Sequence, residues 1–586
     1  MAIKDVQDIA RDYDVIVIGS GAAGISAALA ARHQGLEVLV VEKDRYLGGT
    51  SAISGGWAWV PGNRQGVEEG DTREEIETYL SALGGDSLNR EAVKVFLDEA
   101  PAAMEFLEQA GVEFAYPETA PDYQMDTPGA KRSGRAVTVA RVDARVLGED
   151  RLRMQPYLYP YTVFGYMPEI GPDIATFIRA NQSLPAFGYV MRRLTKTLIQ
   201  TALFRRSFDR TNGNALMTRM VAAARQAGIP MVTDTAVVKL VRNADGVVDT
   251  VLVSGAHRGA LRARLGVVVA AGGYTGDPVL RAQTFAHDPH GDNHITPTRG
   301  HGGDSYRLAA DLGGVLDTSP HQPASWGPVT VWKNLRGQDQ IYPHLRAFGL
   351  PGLIAVNRHG NRFANESFSY HDFGVEMIRD NAGEDDTYGW IIADRKAMRT
   401  YGIGYAKPWP LPTWYYKRVG YLTEAATLGE LAGKIGIPAD RLEATVAEFN
   451  KGAARGEDPA FARGSNWFHH FKGDMNHKPN PNLATLDRGP FYAVKIQMGD
   501  LGSYAGLAVN RRSEVVTSDG AAIPGLYAVG TAAVSVFGGG YPGYGANIGP
   551  ALVFGYQVGR DIGVHAGERE SAAGVTSLRP RKEVTA

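Results

Sequence analysis

The chain has 586 residues, 44% hydrophobic and 21% charged, an ordinary globular composition with core enough for more than one domain. Its net charge of -2 provides no overall field to hold nucleic acid, so no nucleic-acid partner is expected. The absence of cysteine excludes disulfides, thiolate catalysis and cysteine-ligated zinc or iron–sulfur centres.

Residues Met1 to Tyr13 are charged and lack the apolar core of a signal peptide, and no apolar run reaches the roughly 18 residues of a spanning helix. A cytoplasmic location is expected. The first apolar run, Asp14-Val-Ile-Val-Ile-Gly-Ser-Gly-Ala-Ala-Gly24, predicts a strand turning into a helix through Gly19, Gly21 and Gly24, spaced G-x-G-x-x-G. An alanine-rich helix follows from Ile25 to Gln34, then a strand from Glu37 to Val41 that ends on Glu42. The glycines allow a tight turn, close approach to a pyrophosphate and close helix packing. The helix start offers free N–H groups, and Glu42 is placed for a ribose hydroxyl. Gly48-Gly-Thr-Ser-Ala-Ile-Ser-Gly-Gly56, with Trp57 and Trp59 after it, reads as a loop around a second phosphate and a planar ring. A flavin needs such a loop and NAD does not.

Thr72 to Leu107 reads as helices, and the stretch from Ala120 to Gly129 as a turn-rich loop. The segment 150–211 is unusual. Tyrosines crowd its first part, and Leu184 to Arg206 mixes apolar residues with Arg192, Arg193, Lys196, Arg205 and Arg206. Such a basic amphipathic helix fits peripheral contact with the inner face of a membrane, or a cap over the enzyme with a solvated basic face. Asn212 onward predicts another helix, Val232 to Val241 one strand, Leu265 to Tyr274 a buried strand with a glycine turn, and Tyr306 onward a helix. Their alternation extends a doubly wound sheet. From about Gln322 to Asp500 the regularity is lost, which predicts an inserted domain, and Ala522-Ile-Pro-Gly-Leu-Tyr-Ala-Val-Gly530 returns to the sheet. The expected fold class is α/β, a Rossmann-like dinucleotide-binding domain with an inserted α+β substrate domain. Its expected division is 1–321, 322–500 and 501–567, with a flexible tail at 568–586.

Glycines 19, 21 and 24, Glu42, Gly48-Gly-Thr-Ser, Ala270-Ala-Gly-Gly and Gly525-Leu-Tyr-Ala-Val-Gly together resemble the fumarate reductase/succinate dehydrogenase flavoprotein family. The resemblance covers nearly the whole chain and implies FAD. It places the cofactor against Gly19, Gly21, Ala22, Ala23, Gly24, Glu42 and Lys43 in the first unit. Gly49, Thr50, Ser51, Ser54, Gly55 and Gly56 follow in the second loop. Val238, Ala271, Gly272, Asp304, Gly530, Asn547 and Ile548 complete the set. The arginines and histidine with which dicarboxylate reducers of that family clamp and protonate substrate are missing from their motifs. Asn365-Glu-Ser-Phe-Ser-Tyr370, Gly499-Asp-Leu-Gly502 and Tyr541-Pro-Gly-Tyr-Gly545-Ala-Asn-Ile-Gly-Pro550 stand there instead. These, with Asp122-Tyr123, resemble the 3-ketosteroid dehydrogenases, chiefly the Δ1 type.

That resemblance implies a catalytic set of Tyr123, Tyr370, Tyr541 and Gly545. Tyr541 hydroxyl and the Gly545 N–H would polarise the ketone as an oxyanion hole. Tyr370 would take the α-proton, helped by a hydrogen bond from Tyr123, since a free phenol with a pKa of about 10 is a poor base at neutral pH. The β-hydride would go to flavin N5. The expected activity is FAD-dependent Δ1 dehydrogenation of a 3-ketosteroid. Δ4 desaturation or another cyclic ketone is the alternative, and a fumarate or enoate reductase ranks below both. The expected electron acceptor is a quinone or a carrier protein. Tyr116 and Tyr544 are candidates for supporting positions, and His301 and His371 read as flavin-side or packing residues. The histidines form no ligand spacing, so no metal is expected.

Overall fold

A continuous run of β-branched apolar residues, Val15 to Ile18, drives the first strand, β1 (Asp12–Ile18), into the middle of a sheet, where Val15, Ile16 and Val17 are fully buried. In the computed structural model, which describes residues 11–181, 183–297 and 300–572, this strand passes into α1 (Ala22–His33) and then β2 (Val38–Val41). β2 pairs parallel to β1, with Val15 opposite Val38 and Ile18 opposite Val41. Alanine dominates α1 because every residue from Ala22 to Ala31 is buried between sheet and neighbouring helix. The glycine stretch expected as a loop instead forms a short helix, α2 (Gly49–Ile53), entered through Gly48 in the left-handed region. The two amphipathic helices α3 (Arg73–Gly84) and α4 (Arg90–Gln109) follow as expected. Thr72 caps α3 in a reciprocal box with Glu75.

In the unusual segment, α5 (Leu184–Phe204) buries Val190, Leu194 and Thr197 and exposes Leu184, Phe187, Met191, Leu198, Ile199 and Leu203. Its basic residues turn partly inward: Arg193 and Lys196 face Asp209, and Arg206 donates to the Met154 carbonyl at 2.6 Å. No helix among the described residues is long and apolar enough to cross a membrane.

After α6 (Asn212–Gln226) the run expected as one strand is two, β3 (Met231–Val232) and β4 (Thr235–Arg242), broken at Asp234, whose φ is +53°. β5 (Val248–Gly255) and β6 (Gly259–Val269) complete an antiparallel extension, so the sheet is mixed rather than parallel throughout. The core order is completed late in the chain by β7 (Ala522–Ala528), which pairs parallel with β6, Val267 opposite Leu526. The last helix, α7 (Ile548–Ala572), lies along α1. Glycines 555 and 559 let the two backbones touch, since a Cβ there would meet the Ala23 and Ala27 carbonyl oxygens at 2.5 and 2.2 Å.

Between β6 and β7 in sequence lies a separate antiparallel sheet of six strands, from Val329–Lys333 to Phe491–Gln497. Two short antiparallel pairs, Ala324–Trp326 with Asp500–Ser503 and Leu316–Asp317 with Gly506–Leu507, join the ends of this region. The stretches 1–10 and 573–586, and with them most of the leader and tail expectations, lie outside the described residues.

Candidate active site

The two sheets enclose a cavity of about 2080 Å³, larger than the roughly 300–1,000 Å³ of a single drug-sized pocket. One arm follows the β1–α1 turn. A Cβ on Gly21 would meet only Ser51 Oγ, at 3.6 Å, and one on Gly49 nothing nearer than 3.9 Å. Both glycines therefore present bare backbone to open space, a cradle of the size and polarity of a pyrophosphate. Glu42 is buried, and its carboxylate accepts from Ser20 N, Ser20 Oγ and Asp44 N at 3.0, 2.7 and 2.9 Å. Of a carboxylate's four acceptor sites one remains for a ribose hydroxyl. Lys43 pairs with Asp304 across this arm. Gly19, Ala22, Ala23, Thr50, Ser51, Ser54, Gly55, Gly56, Ala271, Gly272, Gly530, Asn547 and Ile548 also line the cavity. These residues fit FAD held along its length.

Two expected contacts are corrected. Gly24 does not reach the cavity. A Cβ there would meet the Gly19 carbonyl oxygen at 2.1 Å, so its work is helix packing. Val238 is 56% exposed and lies outside the cavity, while its neighbour Val237 lines it, because successive residues of β4 face opposite ways.

The other arm holds the tyrosines. Tyr370 is the first residue of α8 (Tyr370–Asp380), an eleven-residue helix capped by the Ser369 side chain. Glu366, four residues earlier, is fully buried and accepts from Arg362 at 2.6 and 2.8 Å, Arg463 at 3.2 Å and the Ala355 N–H at 3.0 Å. That cluster fixes the turn that delivers Tyr370. Tyr123 lies in a loop held by Asp122, which accepts from Trp59 Nε1 and Arg135 at 2.9 and 2.8 Å. The Tyr123 hydroxyl donates to the Tyr370 hydroxyl at 3.0 Å. Tyr123 does not line the cavity, and so it stands behind Tyr370. The Tyr541 ring stacks on Tyr123 at 5.3 Å and meets Tyr370 edge-on at 5.2 Å.

Burial pushes Tyr123 and Tyr370 well above the ordinary phenol value and Tyr541 up to about 12, where the hydroxyl of Tyr370 pulls it back down. The N-terminal end of α8 opposes this by favouring negative charge at Tyr370. Gly545 sits at φ +89°, with the position of a Cβ taken by the Trp57 carbonyl oxygen at 2.2 Å. No group among the described residues accepts its N–H, which borders the cavity. A hydroxyl and a free N–H on one side, and a phenol backed by a second phenol on another, can polarise a carbonyl and remove the proton beside it.

Tyr544 lines the cavity, and its ring meets Tyr123 edge-on at 4.8 Å. Tyr116 also lines the cavity, and its hydroxyl donates to Glu108 at 2.8 Å. His301 lines the cofactor arm near Thr50, whereas His371 accepts the Trp326 N–H at 3.1 Å and stays behind the wall. No cluster able to hold a metal occurs among the described residues. Sequence reasoning passed over Arg346, Lys407 and Lys472, all on the cavity wall. They stand singly in an aperiodic stretch, and no spacing marks them. It also passed over Tyr504, whose buried hydroxyl, near the Tyr541 ring, has no partner among the described residues.

Residues 14–548 match the family described as FAD binding domain. The chain is 57% identical to the 4-oxocyclohex-2-ene-1-carboxylate 5-dehydrogenase of Sinomonas cyclohexanicum, over 96% of this chain and 95% of that one. It is 34% identical to a 3-oxosteroid 1-dehydrogenase of Mycolicibacterium smegmatis, over 95% and 98%. Among solved structures, the 3-ketosteroid Δ1-dehydrogenase of Sterolibacterium denitrificans in complex with 1,4-androstadiene-3,17-dione superposes with a TM-score of 0.84. The identity is 30%, over 95% of this chain and all of the other.

Proposed function

We infer that this chain, which belongs to the FAD binding domain family, is an FAD-dependent CH–CH dehydrogenase of a cyclic ketone. From that premise we propose that its substrate is a small ring keto acid of the 4-oxocyclohexene carboxylate kind, desaturated between the carbons α and β to the ketone. The observation that carries the reaction type is the Tyr123–Tyr370 hydrogen bond of 3.0 Å beside Tyr541 and an unclaimed Gly545 N–H.

The ketone oxygen accepts from Tyr541 hydroxyl and Gly545 N–H, which makes the α-hydrogen acidic. Such donors in a dry site are worth a few kcal/mol each, about 3 for a single one. Tyr370 oxygen takes the α-proton, and Tyr123 steadies its negative charge by donating a hydrogen bond. The α C–H electrons form the new double bond as the β C–H bond breaks. FAD supplies the acceptor for the hydride that leaves the β-carbon. The protein contributes position, proton transfer and exclusion of water.

The keto acid is preferred over a steroid because the chain is far more similar to the carboxylate dehydrogenase than to the steroid enzymes. A Δ1 3-ketosteroid dehydrogenase is the second reading, favoured by the shared tyrosines and by the superposition. Anaerobic addition of 4-oxocyclohex-2-ene-1-carboxylate should bleach the flavin, and the dienone formed can shift its ring proton to give 4-hydroxybenzoate. A 3-ketosteroid that bleaches it faster would move the assignment to the second reading, and no bleaching by either would remove both. Quinones or a carrier protein are proposed as the oxidant, since the sequence offers a single dinucleotide turn. The apolar residues Leu184, Phe187 and Met191 of α5 stand at the cavity wall where such an oxidant, or a lipid surface, would approach.

A further inference from the structure

Five cationic side chains border the cavity. Lys43 is paired with Asp304. The Lys472 ammonium donates to the Phe368 carbonyl oxygen and lies within reach of Asp372. The Lys407 ammonium is 3.4 Å from the Gly404 and 3.5 Å from the Pro160 carbonyl oxygen. Arg179 is exposed to solvent.

Arg346 differs from these. Its guanidinium donates to no group among the described residues, and its Nε is sealed from solvent with no partner. The titratable groups acting on it are Asp474, Tyr544 and Lys472. Asp474 lies beyond ion-pair distance, and its carboxylate accepts from the Tyr401 hydroxyl at 2.8 Å. Tyr544 is the residue before Gly545 and meets Tyr123 edge-on. The unpaired cation is thus tied to the strip of chain that holds the ketone-binding N–H.

We infer that Arg346 anchors the carboxylate of the substrate and so selects ring keto acids over uncharged ring ketones. This rests on the keto-acid reading above. Arg346 is half-buried on the cavity wall, and covering an unpaired cation with an apolar ligand is costly, whereas an anionic ligand supplies the missing partner. A guanidinium presents two parallel N–H donors matched to a carboxylate, which a lysine does not. A ligand with its ketone at Tyr541 and Gly545 and a carboxylate across the ring supplies that partner. A steroid places only hydrocarbon there and leaves the charge unmet.

The test uses the FAD-loaded enzyme, Arg346→Met and Arg346→Lys, with flavin absorbance reporting retained fold and cofactor. Equilibrium binding is measured with 4-hydroxybenzoate, a phenol carrying a carboxylate across the ring, and with its methyl ester. Arg346→Met should weaken the acid roughly 10- to 100-fold and the ester less than about threefold, with Arg346→Lys between them. In turnover, KM for the keto acid should rise far more than kcat falls, while KM for its ester shifts less than about threefold. Equal losses for acid and ester, or no loss for the acid, would overturn the anchor. Arg346-dependent binding of 4-hydroxybenzoate without turnover of the keto acid would sink the proposed reaction and leave the anchor standing.

Discussion

Tyr370 carries the heaviest demand on a single side chain, because it must hold negative charge where burial opposes it. Tyr370→Phe removes the base while keeping the ring. Turnover should fall by about 10²- to 10⁴-fold with flavin content unchanged, and stopped-flow flavin reduction reads this directly. Unaltered reduction would take Tyr370 out of the mechanism. Since burial raises the tyrosine above the ordinary phenol value, its phenolate fraction at neutral pH is small and grows tenfold per pH unit. The reductive rate should therefore climb with roughly unit slope from neutrality toward pH 10, and a flat profile would contradict a phenolate base. Gly545→Ala places a methyl group against the Trp57 carbonyl oxygen, so the loop must move and the N–H with it. Loss of ketone binding with FAD retained is the expected result.

The turn that begins α8 is held by a carboxylate between two arginines. Arg362 and Arg463 keep Glu366 below the usual glutamate value despite its burial. A folded value lowered in this way adds stability that is complete above the unfolded pKa, about 4.3, and is lost as pH falls through the folded one. Glu366→Gln leaves Arg463 buried without its carboxylate, while Arg362 keeps Asp458, and should cost about 3 kcal/mol. Thermal unfolding across pH should show the variant below the parent at neutrality and the gap closing below about pH 4. A gap independent of pH would mean that shape and not charge matters there. The α1–α7 contact is decided by volume rather than charge. Any side chain at Gly559 enters the Ala27 carbonyl, which is why the terminal helix carries glycines on one face.

At the scale of the molecule, the cofactor arm joins segments from both ends of the chain, with Gly21 and Gly530 on the same wall. FAD should therefore bind folded chain far better than unfolded. At one hundred times its Kd, FAD is expected to add about 2.7 kcal/mol, seen as a melting temperature that rises with FAD concentration in the apoprotein. An unchanged melting temperature would mean that the arms do not close on the cofactor. The same arrangement leaves the substrate arm on the border between the two sheets, a common place for ligand sites.

The sequence by itself determined the cofactor, because a strand, a G-x-G-x-x-G turn and a helix form a local unit whose phosphate cradle needs little from elsewhere. It also marked the three segments that bring Tyr123, Tyr370, and Tyr541 with Gly545, though only through motif resemblance. It failed where neighbours in space are strangers in sequence. The facing of Val237 rather than Val238 depends on strand register, and the helix at Gly49 on packing against α6. Arg346 looks like any surface arginine until the fold sets it on the cavity wall with its Nε sealed and, among the described residues, no carboxylate within ion-pair distance. A missing partner is a property of the tertiary structure alone, since it depends on everything that could have come near and did not. That is why the chain's reaction type was legible and its substrate was not.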